Sequence, residues 1–243
     1  RPVVRGIERM PPGAALIVGN HNAGLLSPDS FIFGIEVLRR IGADNVPYGL
    51  GHELAIRVPG LHQLLLPLGA VRASHENARR LFAAKRKVLV YPGSDYDAMR
   101  PYRHRNRVVF GPRRGYLRLA LRSGVPIVPL VAAGSHETFL ILDDGRWLAR
   151  MLRVDRLFRM KVFPITLSIP WGLTIGPPPT HWPLPTQIFI ELLEPIVFDR
   201  TGDEAAGDDA YVEECHERVM AAMQPALERL AAERLAAGGR VVL

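Results

Sequence analysis

With 243 residues, 48% hydrophobic and 23% charged, the chain carries enough apolar material for one packed domain and too much for a disordered one. Its single cysteine, Cys215, excludes an intrachain disulfide framework and fits a reducing compartment. Basic residues outnumber acids 31 to 24, and a formal charge of +7 favours anionic partners such as nucleic acid, anionic lipid or phosphorylated substrates. No run reaches the ~18–20 apolar residues of a spanning helix, and no signal-peptide pattern is present.

The chain opens "RPVVRG" without a methionine, which leaves open a preceding segment such as a membrane anchor. Residues 15–18 form an apolar run that predicts a strand, ended by Gly19, Asn20 and His21. Ser27 as N-cap and Pro28 at the first helical position predict a helix over 28–40, with Phe31, Ile35 and Leu38 at helical spacing. Residues 45–51 read as a short strand. "GLHQLLLPLGAVRAS" (60–74) reads as a helix followed by the strand Ala70–Arg72. Ser74 suits the cap of a helix over 75–84, and "KVLVYPG" (87–93) is a buried strand. A helix over 116–124, closed by Gly124, leads to a strand over 125–134. This alternation predicts an α/β fold, a mostly parallel central sheet flanked by helices.

After Arg146 the texture changes. Residues 146–161 hold six basic residues and one acid among Trp147, Leu148, Met151, Leu152, Leu157, Phe158 and Met160. That composition suits either a basic amphipathic helix lying in a membrane interface, anchored by Trp147 and Phe158, or a helix packed on the core with its arginines in water. The proline-rich segment from Phe163 to residue 186 predicts loop with short extended pieces, and 187–198 returns to strand. An acidic linker then precedes a helix over 211–237 in which Pro225 predicts a kink. Two units are expected: an α/β domain over 1–200, and an acidic linker with an amphipathic helix over 201–243 packed on it.

Two stretches carry chemistry. A histidine directly after a buried parallel strand lies at the strand's carboxyl end, where open α/β folds bind ligands. Asp29, early in the next helix, has the reach to accept from the imidazole and fix its tautomer, leaving the other nitrogen as a general base. The same two residues also suit a polar strand end and a carboxylate complementing the helix dipole. In the second stretch, the turn Pro92-Gly93-Ser94 precedes Asp95 and Asp97, then Arg100, Arg103, Arg105, Arg107, Arg113 and Arg114 with no intervening acid. Guanidinium forks match phosphate oxygens, although most charge runs are solvated loops. His136 with Glu137 reads as a polar strand end. His52, His62, His75, His104, His181 and His216 lack metal-ligand spacing, so no metal site is expected. The absence of a Gly-x-Ser-x-Gly elbow argues against a hydrolase.

Taken in order, these blocks resemble the glycerophospholipid acyltransferase superfamily. The family's first block is Asn-His, four residues, then Asp; here Asn20-His21 is followed by a loop three residues longer, and the carboxylate arrives at Asp29. "GAVRAS" (69–74) resembles its Gly…Arg block at a shortened spacing, with Arg72 as the arginine. "YPGS" (91–94) stands where the family has Phe-Pro-Glu-Gly, with Gly93 in place of glutamate, and is similar to the Pro-Gly-Gly block of the diacylglycerol acyltransferase-like branch. "VPIVP" (125–129), "GSHETF" (134–139) and "PLPTQIFIELLEPI" (183–196) match further blocks, so the likeness spans about residues 3–200.

The resemblance implies acyl transfer from a thioester, acyl-CoA or acyl carrier protein, to the hydroxyl of a glycerolipid, lysophospholipid or related lipid alcohol, with no bound cofactor. His21 would be the base and Asp29 its support. Asn20, Pro92, Gly93, Ser94, Asp97 and Glu137 would bind substrate, and Arg72, Arg103, Arg113 and Arg114 would bind phosphate. The expected setting is cytoplasmic, peripheral on the inner face of the cell membrane. A non-catalytic lipid-binding protein on the same scaffold is the alternative. Nucleic-acid binding ranks last, since the arginine tract has few stacking aromatics beyond Tyr102, Phe110 and Tyr116.

Overall fold

The computed structural model describes residues 1–24, 27–51, 63, 65–153, 162–176 and 182–239. Its first half alternates as expected. β1 (Val3–Arg5) and β2 (Ala15–Gly19) precede helix α1 (Pro28–Ile41); β3 (Tyr48–Gly51), β4 (Ala70–Arg72) and α2 (His75–Ala83) follow. Then come β5 (Lys87–Val90), the short α3 (Ser94–Ala98), α4 (Gly115–Ser123) and β6 (Ile127–Ala133). The second half holds β7 (Leu140–Asp143), α5 (Arg146–Met151), β8 (Ile165–Ser168), β9 (Gly172–Ile175), β10 (Phe189–Leu192), α6 (Asp203–Gly207) and the long α7 (Asp209–Ala236).

The central sheet has seven strands in the order β1-β10-β6-β2-β5-β3-β4. β2 pairs in parallel with both β5 and β6, and β5-β3-β4 continue in parallel; only β10 meets β6 antiparallel. Alternation along β2 divides the core. Ala15 and Ile17 pack with Phe33 and Val37 of α1 on one face. Leu16 and Val18 join Ala78, Leu117, Val219 and Leu227 on the other, beneath α2, α4 and α7. Helix ends follow local chemistry: the Ser74 hydroxyl accepts the Asn77 N–H at 3.1 Å, Asp208 does the same for Tyr211, and Gly124 closes α4 at φ 59°.

Several expectations change. Ser27 holds the N-cap position of α1, but its hydroxyl is spent on Asp29 and the Asn22 carbonyl and makes no cap bond. The segment expected as loop contains β8 and β9, which form a three-stranded antiparallel sheet with β7. Pro164 and Pro170 flank β8, so neither costs a ladder hydrogen bond. α7 includes Pro225 within one helix, with Met223, Ala226 and Leu227 around the proline buried against the core. α5 ends at Met151; Phe158 and the rest of that proposed helix, with His52, His62 and His181, lie outside the described residues.

Candidate active site

Three adjacent parallel strands deliver the site. Residues 20–22 leave the carboxyl end of β2, residues 91–94 that of β5, and residues 135–137 that of β6. His21 therefore sits at the middle of the sheet's carboxyl edge, where the sequence placed it.

Its backbone is fixed on both sides. The His21 N–H donates to Asp97 Oδ2 at 2.5 Å, and its carbonyl accepts from Arg100 Nη1 at 2.5 Å. Arg100 is buried and fully engaged: it also donates to the Asp97 carboxylate and carbonyl, to Asn22 Oδ1 and to the carbonyls of His104 and Arg105. Asp97, which also accepts the Val109 N–H at 3.1 Å, is buried, and desolvation pushes its carboxyl up to about 6. It is thus a brace for the histidine loop, not the substrate ligand expected, since its oxygens are spent on protein donors. Asn20 receives the same correction: its amide clamps β2 to β6 through the Ala132 N–H and carbonyl at 2.9 and 3.1 Å.

The imidazole lies 4.8 Å from the Tyr91 ring, centroid to centroid, and Nδ1 is 3.3 Å from the Asn22 carbonyl oxygen. A carbonyl only accepts, so Nδ1 carries the proton and Nε2 the lone pair. Burial, with Arg100 nearby, lowers the His21 pKa to about 4, which keeps the ring neutral at physiological pH.

Asp29 does not fill the role expected of it. Its Oδ1 accepts from Ser27 at 3.0 Å and from Ser135 at 2.5 Å, and no contact between Asp29 and the imidazole occurs among the described residues. Burial raises the Asp29 pKa.

Gly93 explains the missing glutamate. A Cβ there would come within 2.3 Å of Asp97 Cβ and 2.4 Å of the Val109 carbonyl oxygen, so no side chain fits. Pro92 is buried beside it, and its carbonyl accepts from Arg113 Nη1 at 3.5 Å. Ser94 has φ 47°, uncommon for a residue with a side chain, and its N–H is held by the Tyr91 carbonyl at 3.2 Å.

The arginine tract divides. Arg113 braces the turn through the Gly93 carbonyl at 2.6 Å and Asp95 at 2.7 Å. Arg114 forms a two-point ion pair with Glu213 of α7, so its fork is already matched. Arg105 and Arg234 share Glu137, whose carboxylate is buried between them, which removes Glu137 from the substrate-binding set. Arg103 and Arg107 are exposed and have no ion-pair partner among the described residues. Arg72 ends edge strand β4, exposed, opposite Gly51 of β3. His136 accepts the Ala23 N–H through Nδ1 and lies 2.8 Å from the Arg100 carbonyl through Nε2, one more brace. Sequence reasoning missed Arg100 and Tyr91 as positioning groups. The Asp97/Arg100 pair at i, i+3, with Arg100 just past the end of α3, was the available signal.

Of the expected site residues, His21 and Ser94 line a cavity of about 320 Å³, with Ser27, Ser30 and Tyr91 beside them. Its walls continue with Phe31, Ile35 and Leu38 of α1 and, opposite, Val46, Leu50, Leu65 and Leu68. The helical stripe at 31, 35 and 38 faces this opening, while Phe33 and Val37 face the core. From Ser30 to Leu38 the groove follows α1 for roughly 12 Å.

Residues 1–133 match the Acyltransferase family model. An uncharacterized protein of Mycobacterium tuberculosis (strain H37Rv) is 31% identical over 235 residues, 96% of this chain and 63% of that protein. Another from Mycobacterium leprae is 30% identical over the same share of this chain and 61% of its own length. The chain thus spans somewhat over 60% of these relatives. The mouse "DGAT1/2-independent enzyme synthesizing storage lipids" is 25% identical over 68% of the chain and 49% of its own length. Among solved structures, the 1-acyl-sn-glycerophosphate acyltransferase PlsC of Thermotoga maritima superposes with a TM-score of 0.53 at 18% identity, covering 95% of this chain and 72% of that one, a likeness of fold.

Proposed function

This chain belongs to the acyltransferase family, and from that premise we propose that it moves a fatty acyl group from an acyl thioester to the hydroxyl of a glycerolipid, lysophospholipid or related lipid alcohol. One observation carries the reading: a neutral, tautomer-fixed histidine at the polar end of a groove whose remaining walls are aliphatic. The apolar walls suit an acyl chain laid along α1, and the polar end suits the reacting carbonyl and hydroxyl.

In this reading His21 Nε2 takes the acceptor's hydroxyl proton as the oxygen attacks the thioester carbonyl. Collapse of the tetrahedral centre breaks the carbon–sulfur bond, and the imidazolium returns its proton to the departing thiolate. The Ser94 hydroxyl, in the same cavity and without a protein partner among the described residues, donates to the developing oxyanion. Arg100 and Asp97 hold the loop so that the ring does not swing, which is positioning rather than chemistry. Arg72, Arg103 and Arg107 supply charge for a phosphate of donor or acceptor.

The test is His21→Ala, assayed with labelled acyl-CoA and a panel of lipid alcohols. Acceptor-dependent release of free CoA should fall by at least about 10²-fold while the melting temperature stays within a few degrees. Full activity in the variant removes the mechanism. Acyl-chain binding without turnover in the unaltered protein would establish the non-catalytic alternative instead.

A further inference from the structure

The β7-β8-β9 sheet is built inside out. Its register sets Leu140 opposite Leu167, Leu167 opposite Leu173, and Ile165 opposite Ile175. Alternation then puts Ile165, Leu167, Leu173 and Ile175 on one face, with Thr166, Ser168 and Thr174 on the other. A sheet on a water-soluble core turns its aliphatic face inward. Here Thr166 and Ser168 are the buried residues, Thr166 bonded to Thr174 across the strands at 2.7 Å, and Ser168 Oγ finds no partner among the described residues. The aliphatic face points out, Leu173 and Ile175 each 64% exposed.

The chain has three tryptophans, and all three stand at this layer: Trp147 on α5 at 57% exposure, Trp171 in the β8–β9 turn at 50%, and Trp182, bridged to Ile169, at 70%. Trp147 and Met151 lie one helical turn apart on α5, which leaves β7 directly. Arg150 and Arg153 beside them are exposed, with no ion-pair partner among the described residues. Scattered exposed apolar residues mean little, but an aliphatic sheet face with exposed indoles and cations on neighbouring segments of the chain does. Indoles favour the boundary between headgroups and hydrocarbon, and unpaired arginines favour anionic headgroups. The sheet is also continuous with the site: Phe139 and Ile141 pack on Ala23, two residues beyond His21.

We infer that the outer face of β7-β8-β9, with α5, rests on a bilayer containing anionic lipid. The choice of a bilayer over a protein partner rests on the proposed function, whose acceptor is itself a membrane lipid.

The full chain should be titrated with vesicles of phosphatidylcholine alone and of phosphatidylcholine mixed with phosphatidylglycerol, with tryptophan emission and co-sedimentation as readouts. Binding to the mixed vesicles, a blue shift, quenching by brominated lipid and weakening by salt are expected. Leu173→Ser with Ile175→Ser should weaken binding at least about tenfold. Trp147→Ser, on a helix rather than an edge strand, should weaken it severalfold, guarding against a misfolded hairpin. Arg150→Glu should weaken binding to the mixed vesicles alone, and only at low salt. All three surface variants should retain transfer between a short-chain donor and a water-soluble acceptor. Loss of that transfer as well would overturn a purely docking role. The inference is equally overturned if neither vesicle binds, if the variants bind undiminished, or if sedimentation shows a dimer that the same substitutions dissolve. A docking failure leaves the His21→Ala result untouched, so the two readings fail separately.

Discussion

Ser94 concentrates the residue-scale argument. A left-handed backbone at a residue with a Cβ costs on the order of 1–2 kcal/mol and persists where its surroundings enforce it. Here the Tyr91 carbonyl and the Arg113-braced turn do so. Ser94→Gly should therefore raise stability by about 1 kcal/mol in denaturant titration, while Ser94→Gly and Ser94→Ala alike lose about 10²-fold in kcat if the hydroxyl serves the oxyanion. Opposed signs for stability and rate would separate strain with a purpose from strain alone. The imidazole gives a second prediction. Its pKa is lowered to about 4, so the neutral base form is full above that value and is lost as pH falls through it. The acid limb of kcat/KM should lie near 4, where an ordinary histidine would place it near 6.5; a limb at the ordinary value would show that the ring is hydrated and unburied in the working enzyme. His21 was legible because a strand end is a one-dimensional feature. Its supports were not, since Asp97 and Arg100 lie about 80 residues away and meet it only once β2 and β5 pair.

At the scale of elements, α7 is held by buried charge. Arg234 gives Glu137 two bonds of 2.8 and 2.7 Å, and adds the Gln187 carbonyl and Thr186 hydroxyl. Removing Arg234 leaves the buried Glu137 with Arg105 alone, a loss of ~3 kcal/mol, the low end for a broken buried pair. Arg234→Ala should thus lower the melting temperature by roughly 10 °C in calorimetry, and by more than Arg114→Ala, whose Glu213 partner is half exposed. Activity should fall too, because Glu137 shares its short helical turn with Ser135, the donor to Asp29. The sequence showed Glu137 as a conspicuous acid after a buried strand, a signature that ligand binding and helix docking share. Its partner, 97 residues on, decides between them.

For the whole molecule, the parallel sheet is readable because β2, β5 and β6 are compact apolar runs, with the helical stretches α1, α2 and α4 between the strands. β7-β8-β9 was not, because its prolines signal loop and its alternation is inverted relative to an ordinary core sheet. The arginine tract suggests phosphate binding by its composition, whereas Arg100, Arg105, Arg113 and Arg114 are engaged internally by partners distant in sequence or in the adjoining turn. Among the described residues no helix is long and apolar enough to cross a membrane.

The groove has one stiff side and one yielding side. α1 is keyed into the interior by Phe33 and Val37, whereas β3 and β4 form the half-covered rim of the sheet, the latter only three residues long. Replacing Leu65, Leu68 or Ala70 would thus reshape the space for a hydrocarbon tail while leaving the foundations of the molecule alone. Under the proposed function, selectivity for tail length is free to drift without endangering either the folding of the chain or the setting of His21.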